Sequence, residues 1–447
     1  MSRALLTIAT MVFAACSVPI EGEQQEREAA AAASRSYATP FAERTLPQLR
    51  PDTPFGDWLA HAEASNGALE AKWHQWIAAI ERVPQAATQD TQPMLGVEHT
   101  LDGGAALDRT GLMLMTDTMA NFVAPGRLGD RGLAALANAK TAGAAFVSAR
   151  LQLQADVAER WIALALQDRE ITLQHRLVAA TEVLRASLSA RAAAGLAAQR
   201  EFIEVEAFGR RTSARLQRLD VERPALVAAL LAVVGADTSA ILDPRPALPE
   251  MAALRQEEQD AFDCALAHNP LLREAKTFHD AALTQLAADE WERIPQFSLR
   301  GLLMGDGSAM LQPALTLPFF RSHAIDALLR QRQSEVAAAA ALLRQAERDA
   351  VAELAARERE LMAVASEHEL LQEEVAPLLE SSVALARLQW AAGQGGLDAW
   401  LSATTAQIEL DRELAQLQAK AAVARAHAQH ALGEIAQAVR PGPTMAR

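Results

Sequence analysis

The sequence predicts a mainly α-helical protein with a small β part, built on one plan used twice. The first observation is a duplication: Gly393 and Gly433 stand 198 residues after Gly195 and Gly235. Likewise Ser65-Asn66-Gly67-Ala68-Leu69 has a counterpart in His268-Asn269-Pro270-Leu271-Leu272, 203 residues on. A period near 200 is too long for a solenoid unit and fits an internally duplicated domain. The second observation is helix length. No proline interrupts the chain between Pro125 and Gly195, and good helix formers dominate there. Roughly 65–70 helical residues would run about 100 Å. Each half reads as short helix, apolar hairpin, very long helix, glycine tip and returning helix.

At the N-terminus, Arg3 precedes an apolar run from Ala4 to Ala15, and Phe13-Ala14-Ala15-Cys16 follows. The run is too short to span a membrane as a helix. Small residues just before a cysteine resemble a bacterial lipoprotein signal peptide, residues 1–15, cut to leave Cys16 for acylation. Ser17 after the cysteine is compatible with outer-membrane sorting. Residues 16–55, rich in Glu, Gln, Ala and Ser and then in proline, read as the acylated N-terminus and a tether to the folded body. The other cysteine, Cys264, has no disulfide mate and reads as a small buried hydrophobe.

The first repeat is assigned to 56–235, an inter-repeat linker to 236–252, the second repeat to 253–433 and a C-terminal tail to 434–447. Two stretches break the helical pattern at matching places. One runs over 93–122 with a turn at Asp102-Gly103-Gly104, the other over 294–320 with a turn at Gly305-Asp306-Gly307. Asp and Gly turns between apolar runs signal hairpins. Gln296, Ser298 and Arg300 alternate with Phe297, Leu299 and Gly301, as a strand with one wet face should. Four strands cannot close a barrel alone. Three chains would supply twelve, and closure leaves no edge unpaired in lipid. With a single tyrosine in the chain, the aromatic girdle falls to Phe122, Trp291, Phe297, Phe319 and Phe320.

In the second long helix, Leu354, Leu361, His368 and Val375 fall seven apart, as do Arg357, Val364, Leu371, Leu378 and Leu385. That predicts a coiled-coil seam over about four heptads. Val157, Trp161, Leu164, Ile171 and Val178 keep a looser register in the first half. Pro224 and Pro377 predict kinks inside helices.

Several local segments together resemble the TolC family of outer-membrane channel proteins, especially lipoprotein members serving multidrug or heavy-metal efflux pumps. Val83-Pro84-Gln85-Ala86 with Gln92-Pro93-Met94-Leu95-Gly96 resembles the segment leading into the first strand. Pro125-Gly126-Arg127-Leu128 resembles the exit into the long helix. Gly195-Leu196 and Gly393-Gln394-Gly395 resemble the glycines of two periplasmic tips, and Leu230-Leu231 before Gly235 the end of the first returning helix. The resemblance covers nearly the whole mature chain. It implies a homotrimer with a twelve-stranded barrel in outer-membrane lipid and a twelve-helix periplasmic tunnel. It also implies a passive exit duct fed by an inner-membrane transporter of RND or ABC type through a periplasmic adaptor protein. No cofactor or catalysis is implied.

In that family, acidic residues a few positions beyond the tip glycines ring the periplasmic mouth. Glu201 stands at the matching position six residues after Gly195. In the second half that position is Ala399, with Asp398 its neighbour, and the next acidic position falls on Ser402. Glu201 and Asp398 are therefore the gate candidates, and a solvated helix face is the alternative for both. Adaptor docking is assigned to Ala194, Gly195, Leu196, Ala392, Gly393, Gly395, Gly396 and Leu397, whose small residues permit close backbone approach. Trp390 and Trp400 flank the second tip, as interface anchors or as packing between helices.

The composition narrows the remaining classes. Hydrophobic residues make up 50% but aromatics only 4%, which suits close helix packing. The net charge of −14, with no basic arm, argues against nucleic acid. His427 with His430, and His268 with His279, lack a third convergent ligand for a metal. There is no phosphate loop or nucleophile elbow, so an enzyme is not expected. The alternatives kept open are a type I secretion duct and a lipid-anchored coiled-coil scaffold without a channel.

Overall fold

The computed structural model describes residues 17–34, 36–89, 93–100, 109–116, 123–193, 199–236, 242–251, 268–303 and 309–431, the strands by their backbone. Cys16, Cys264, both hairpin turns and Phe122 lie outside the described residues. The chain divides into two compact units, and each takes segments from both sequence repeats.

The first unit gathers residues up to 35, 71–146 and 272–346. Its first element corrects the tether expected over 16–55. Ser17 bridges Thr88, and Val18 N–H donates to the Ala87 carbonyl at 2.9 Å. Helix α1, Glu23–Ala33, then packs against α3, Gly67–Ala86. Ala30 is fully buried, the Trp73 indole donates to its carbonyl at 3.0 Å, and the Trp76 indole donates to Glu26 at 2.9 Å. The alanine run, read from composition as a spacer, is instead a strong helix former whose small face admits a close neighbour.

The sheet follows. Strands β1, Pro93–Thr100, and β2, Arg109–Thr116, pair antiparallel over eight residues from Pro93↔Thr116 to Thr100↔Arg109. Strands β3, Gln296–Leu303, and β4, Ala309–Thr316, do the same from Gln296↔Thr316 to Leu303↔Ala309. Leu114↔Leu303 and Met115↔Leu302 join the hairpins, giving the order β1-β2-β3-β4 with β1 and β4 at the edges. The base of the first hairpin is clamped by Gln89. Its amide accepts from Val123 N–H at 3.0 Å and donates to the Val123 carbonyl at 2.5 Å.

The Pro125-Gly126-Arg127-Leu128 segment opens α4, Pro125–Ala193, a single helix of 69 residues. Each residue has a physical task. A Cβ on Gly126 would stand 3.0 Å from the Trp291 ring, Arg127 is buried and paired with Glu292, and Leu128 is fully buried. Trp291, expected in an aromatic girdle, packs here and donates to Asp130 at 2.5 Å. Of the girdle candidates, Phe319 and Phe320 are exposed, with ring centroids 4.0 Å apart. Helix α6, Pro270–Glu290, completes the layer, with Asp289 held by Arg332 at 2.6 Å.

The second unit gathers 36–70, 147–271 and 347–447. Helix α2, Phe55–Ser65, sets Trp58 and Phe55 each 5.6 Å from the Trp161 ring on α4. Glu63 binds Arg150 and Gln154 of α4 at 2.7 and 2.5 Å. Helix α5, Gln199–Val234, continues through Pro224 and ends on Gly235 at φ 74°, with Ala236 N–H donating back to Leu231 at 3.0 Å. That left-handed cap is the reason for glycine at 235. Arg223 binds Asp168 and Asp243 and donates to the Pro244 carbonyl at 2.8 Å, pinning the linker onto the helices.

The second long helix departs from the predicted seam. Helix α7, Ser322–Leu370, buries Leu354, Val364 and His368. A π-helical turn, Leu371–Val375, then leads into α8, Ala376–Ala391. A π-turn inserts one residue into the helical ladder. Beyond it the buried positions are Ala386 and Trp390, while Leu378 and Leu385, expected in the seam, are 70% and 56% exposed. Pro377 lies two residues beyond the turn; lacking an N–H, it cannot complete the α ladder to residue 373, so the wider turn is a low-cost solution. In α4, Leu173 and Leu177 take the core in place of Ile171 and Val178, because they meet Ile408 of α9, Leu397–Ala431.

Candidate functional site

The ends of four helices meet around one apolar cluster in the second unit. Leu184 and Leu188 of α4, Val205 of α5, Ala386 and Trp390 of α8, and Leu397, Trp400 and Ala403 of α9 pack together. Both tryptophans therefore serve packing, with Trp390 3% exposed and the two rings 6.3 Å apart. Trp390 is also held by polar contacts. Its indole donates to Ser187 Oγ at 3.0 Å, Arg191 donates to its carbonyl at 3.0 Å, and the Arg191 guanidinium lies 4.1 Å above its ring. Sequence reasoning missed this tie. Its one legible trace is that Ser187 and Arg191, four apart, share a helix face.

The second tip turns on Gly393 at φ 72°, with Gln394 N–H donating to the Gln389 carbonyl at 2.9 Å. This repeats the geometry of Gly235. A Cβ on Gly395 would lie 2.9 Å from that of Gln389, so glycine keeps the turn tight. Ala392, Gly393 and Gly396 are exposed. Leu397, expected on the docking surface, is 2% exposed and faces the cluster, because it begins a helix whose apolar side must be covered. Ala194, Gly195 and Leu196 lie outside the described residues.

Both gate candidates stand in a first helical turn: Glu201 is the third residue of α5, and Asp398 the second of α9, where Ala399 takes the third position. Glu201 is half-buried and Asp398 exposed. Carboxylates there are favoured by the exposed N–H groups of the helix start, by about 0.3–1 kcal/mol. Arg200 is bound to Glu204 at 2.7 Å, which raises its pKa above the ordinary value; the charge of Asp398 adds to this. Val205 near the start of α5 and Leu397 at the start of α9 share the apolar cluster, which brings the two helix starts together.

The histidines form no metal centre among the described residues. His368 is buried beside Gln418, 3.4 Å away. His427 stands 3.9 Å from Glu159, and burial depresses the pKa of His430.

No protein-family model and no curated protein sequence matches the chain. Solved structures do. It is similar to the outer membrane protein VceC of Vibrio cholerae, with a TM-score of 0.72 and 18% identity over 85% of this chain and 96% of that one. The CmeC outer membrane channel of Campylobacter jejuni gives 0.70 at 12% identity, covering 85% of each chain. The open-state MtrE outer membrane channel of Neisseria gonorrhoeae gives 0.67 at 16%, covering 85% of this chain and 89% of that one. Identity this low speaks to architecture, and the architecture is that of the TolC-like outer-membrane channel proteins.

Proposed function

We propose that this chain is one third of an outer-membrane channel, the exit duct of a tripartite efflux system that passes small molecules or metal ions passively. The observation that carries the reading is the sheet. Its order β1-β2-β3-β4 leaves β1 and β4 as edges, and a four-stranded sheet is too small to close on itself. Three copies joined edge to edge give twelve strands with no free edge, the condition for a β structure in lipid. Full pairing of both hairpins favours this reading over a scaffold without a barrel. Among the described residues no helix is long and apolar enough to cross a membrane.

In this reading Cys16 carries the acyl chains and a periplasmic adaptor docks at Ala194, Gly195, Leu196, Ala392, Gly393, Gly395 and Gly396. An inner-membrane transporter of RND or ABC type supplies the energy. Threefold symmetry brings three copies of Glu201 and Asp398 to the mouth, where their negative potential concentrates cations. Native mass spectrometry of the detergent-extracted protein is expected to give a trimer with acyl mass on Cys16. Bilayer conductance then tests the gate: Glu201→Gln should weaken cation preference, and unchanged selectivity removes Glu201 from that role.

A further inference from the structure

Helices α3, α4 and α6 of the first unit border a groove of about 800 Å³ whose residues have no part in the gate or the docking tips. Its apolar lining is all alanine, with Ala134 and Ala288 buried. Its polar lining includes Arg82, Gln85, Arg131, Asn138, Gln285 and Asp289. Alanines leave room between the helices, and the volume falls in the usual range for a small-molecule site, roughly 300–1,000 Å³.

The groove is positive although the chain carries a net charge of −14. Arg82 of α3 and Arg131 of α4 line it, and neither guanidinium has an ion pair among the described residues. By contrast Arg27, Arg127 and Arg332 of the same unit are each held by a carboxylate. The acidic lining residue, Asp289, is already engaged: Arg332 binds it at 2.6 Å and Gln285 donates to it at 3.2 Å. The amides of Gln85 and Asn138 each use one N–H on a carbonyl of their own helix, at 2.8 and 3.0 Å, and keep a second to give. Two uncompensated cations beside spare N–H donors are suited to an anion.

The direction in which the groove opens follows from α1. Helix α3 turns Trp73 and Trp76 toward α1. At about 100° per residue, Gln75, Ala78 and Arg82 fall on its opposite side. On α4, Gly132 lies against Ile20, where a Cβ would clash, and Arg131, Ala135 and Asn138 stand about a quarter-turn or more away. In the channel reading, acyl chains on Cys16 enter lipid outside the barrel, and Cys16 immediately precedes the segment that leads into α1. The α1 side is then the outer face, and the groove opens to the tunnel.

We infer that this groove binds a small amphiphilic organic anion, its carboxylate, sulfonate or phosphate held by Arg82 and Arg131 and its apolar body laid on the alanines. It is a resting site for anionic cargo in the tunnel wall. The inference rests on the channel reading and adds a substrate class to it. Acidic residues at the mouth concentrate cations, whereas this groove retains the opposite sign further along the duct.

The test uses the full chain, in detergent and in planar bilayers, with naphthalene-1-sulfonate as the probe. Calorimetry on the detergent-extracted protein should show binding that weakens about tenfold in Arg82→Gln and in Arg131→Gln. Arg82 is exposed, so that variant keeps its fold. Lys140→Gln removes one charge from the far face of α4 and should bind as the wild type does. In bilayers the probe should reduce the wild-type current, and the arginine variants should relieve that block. Binding unchanged in both arginine variants overturns the site. Inorganic sulfate binding as tightly as the probe overturns the amphiphilic ligand, and displacement of the probe by phosphatidylglycerol assigns the groove to lipid and overturns the cargo role. A conducting channel that ignores the probe overturns the groove and leaves the duct standing. Binding without conductance keeps the anion site and overturns the duct, and with it the cargo role.

Discussion

The guanidinium carbon of Arg191 lies 4.1 Å from the centroid of the Trp390 ring, and the same arginine donates to the Trp390 carbonyl at 3.0 Å. One side chain at the end of the first long helix thus holds the last turn of the second by face and by backbone. Trp390→Ala is expected to cost about 3–5 kcal/mol, as for other buried tryptophans. Arg191→Ala should cost about 1 kcal/mol, since the guanidinium is partly exposed. Urea unfolding of the two variants checks the order, and an Arg191 effect equal to that of Trp390 would refute it.

The Arg127–Glu292 pair should respond asymmetrically. Arg127 is nearly buried, while Glu292 keeps contact with water. Removing the carboxylate takes the ion-pair partner from a buried cation, whereas removing the cation leaves an anion that water can reach. Glu292→Ala is therefore expected to destabilise more than Arg127→Met, by about 1–2 kcal/mol. Thermal melts of both variants decide it.

Burial lowers the His430 pKa, helped by the neighbouring His427 and opposed by Glu353 of α7 and Asp156 of α4. The unfolded chain then binds the extra proton more readily than the folded one. The stabilising contribution is present above the ordinary histidine value of 6.5 and is lost as pH falls through the lower folded-state value. Stability should therefore fall between pH 7.5 and 5.5, and His430→Gln should flatten that slope. An equal slope in both proteins would place the acid sensitivity elsewhere.

Deleting Gln372 removes the residue that the π-turn inserts and lets the helix continue as an ordinary α-helix. Leu379 and Ala386 would then stand seven and fourteen positions after Leu371, so Ala386 and Trp390 should keep their places in the cluster while Leu378 and Leu385 stay outside. We expect the Trp390 fluorescence environment to be kept, with a modest loss of thermal stability because Pro377 leaves one α-helical acceptor unmet. A deletion variant whose Trp390 becomes exposed to water would refute the one-residue insertion.

The contrast between Gly393 and Leu378 explains what was legible in the sequence. Glycine at a helix end, alternation in Gln296–Gly301 and the unbroken helix after Pro125 are local rules, each set by a few neighbouring residues. The strands and the cap at Gly393 follow those rules closely. Leu378 obeys the local heptad and is nevertheless outside, because its orientation depends on a turn two residues before Pro377 that periodicity does not mark. The Arg191–Trp390 contact spans nearly 200 residues of chain, so nothing local announces it. The segment 23–33 misled for another reason: alanine and glutamine describe a spacer and a packed helix equally well, and only Trp73 and Trp76 across from it distinguish them.

The bridge between Ser17 and Thr88 also fixes how a lipid would be held. Thr88 precedes Pro93, the first residue of β1, by five residues of chain, and one trans peptide, about 3.8 Å between Cα atoms, is all that separates Ser17 from Cys16. Acyl chains on that cysteine would have no slack to wander on a leash. In the channel reading they would act as a depth gauge, setting the height at which the first strand meets lipid.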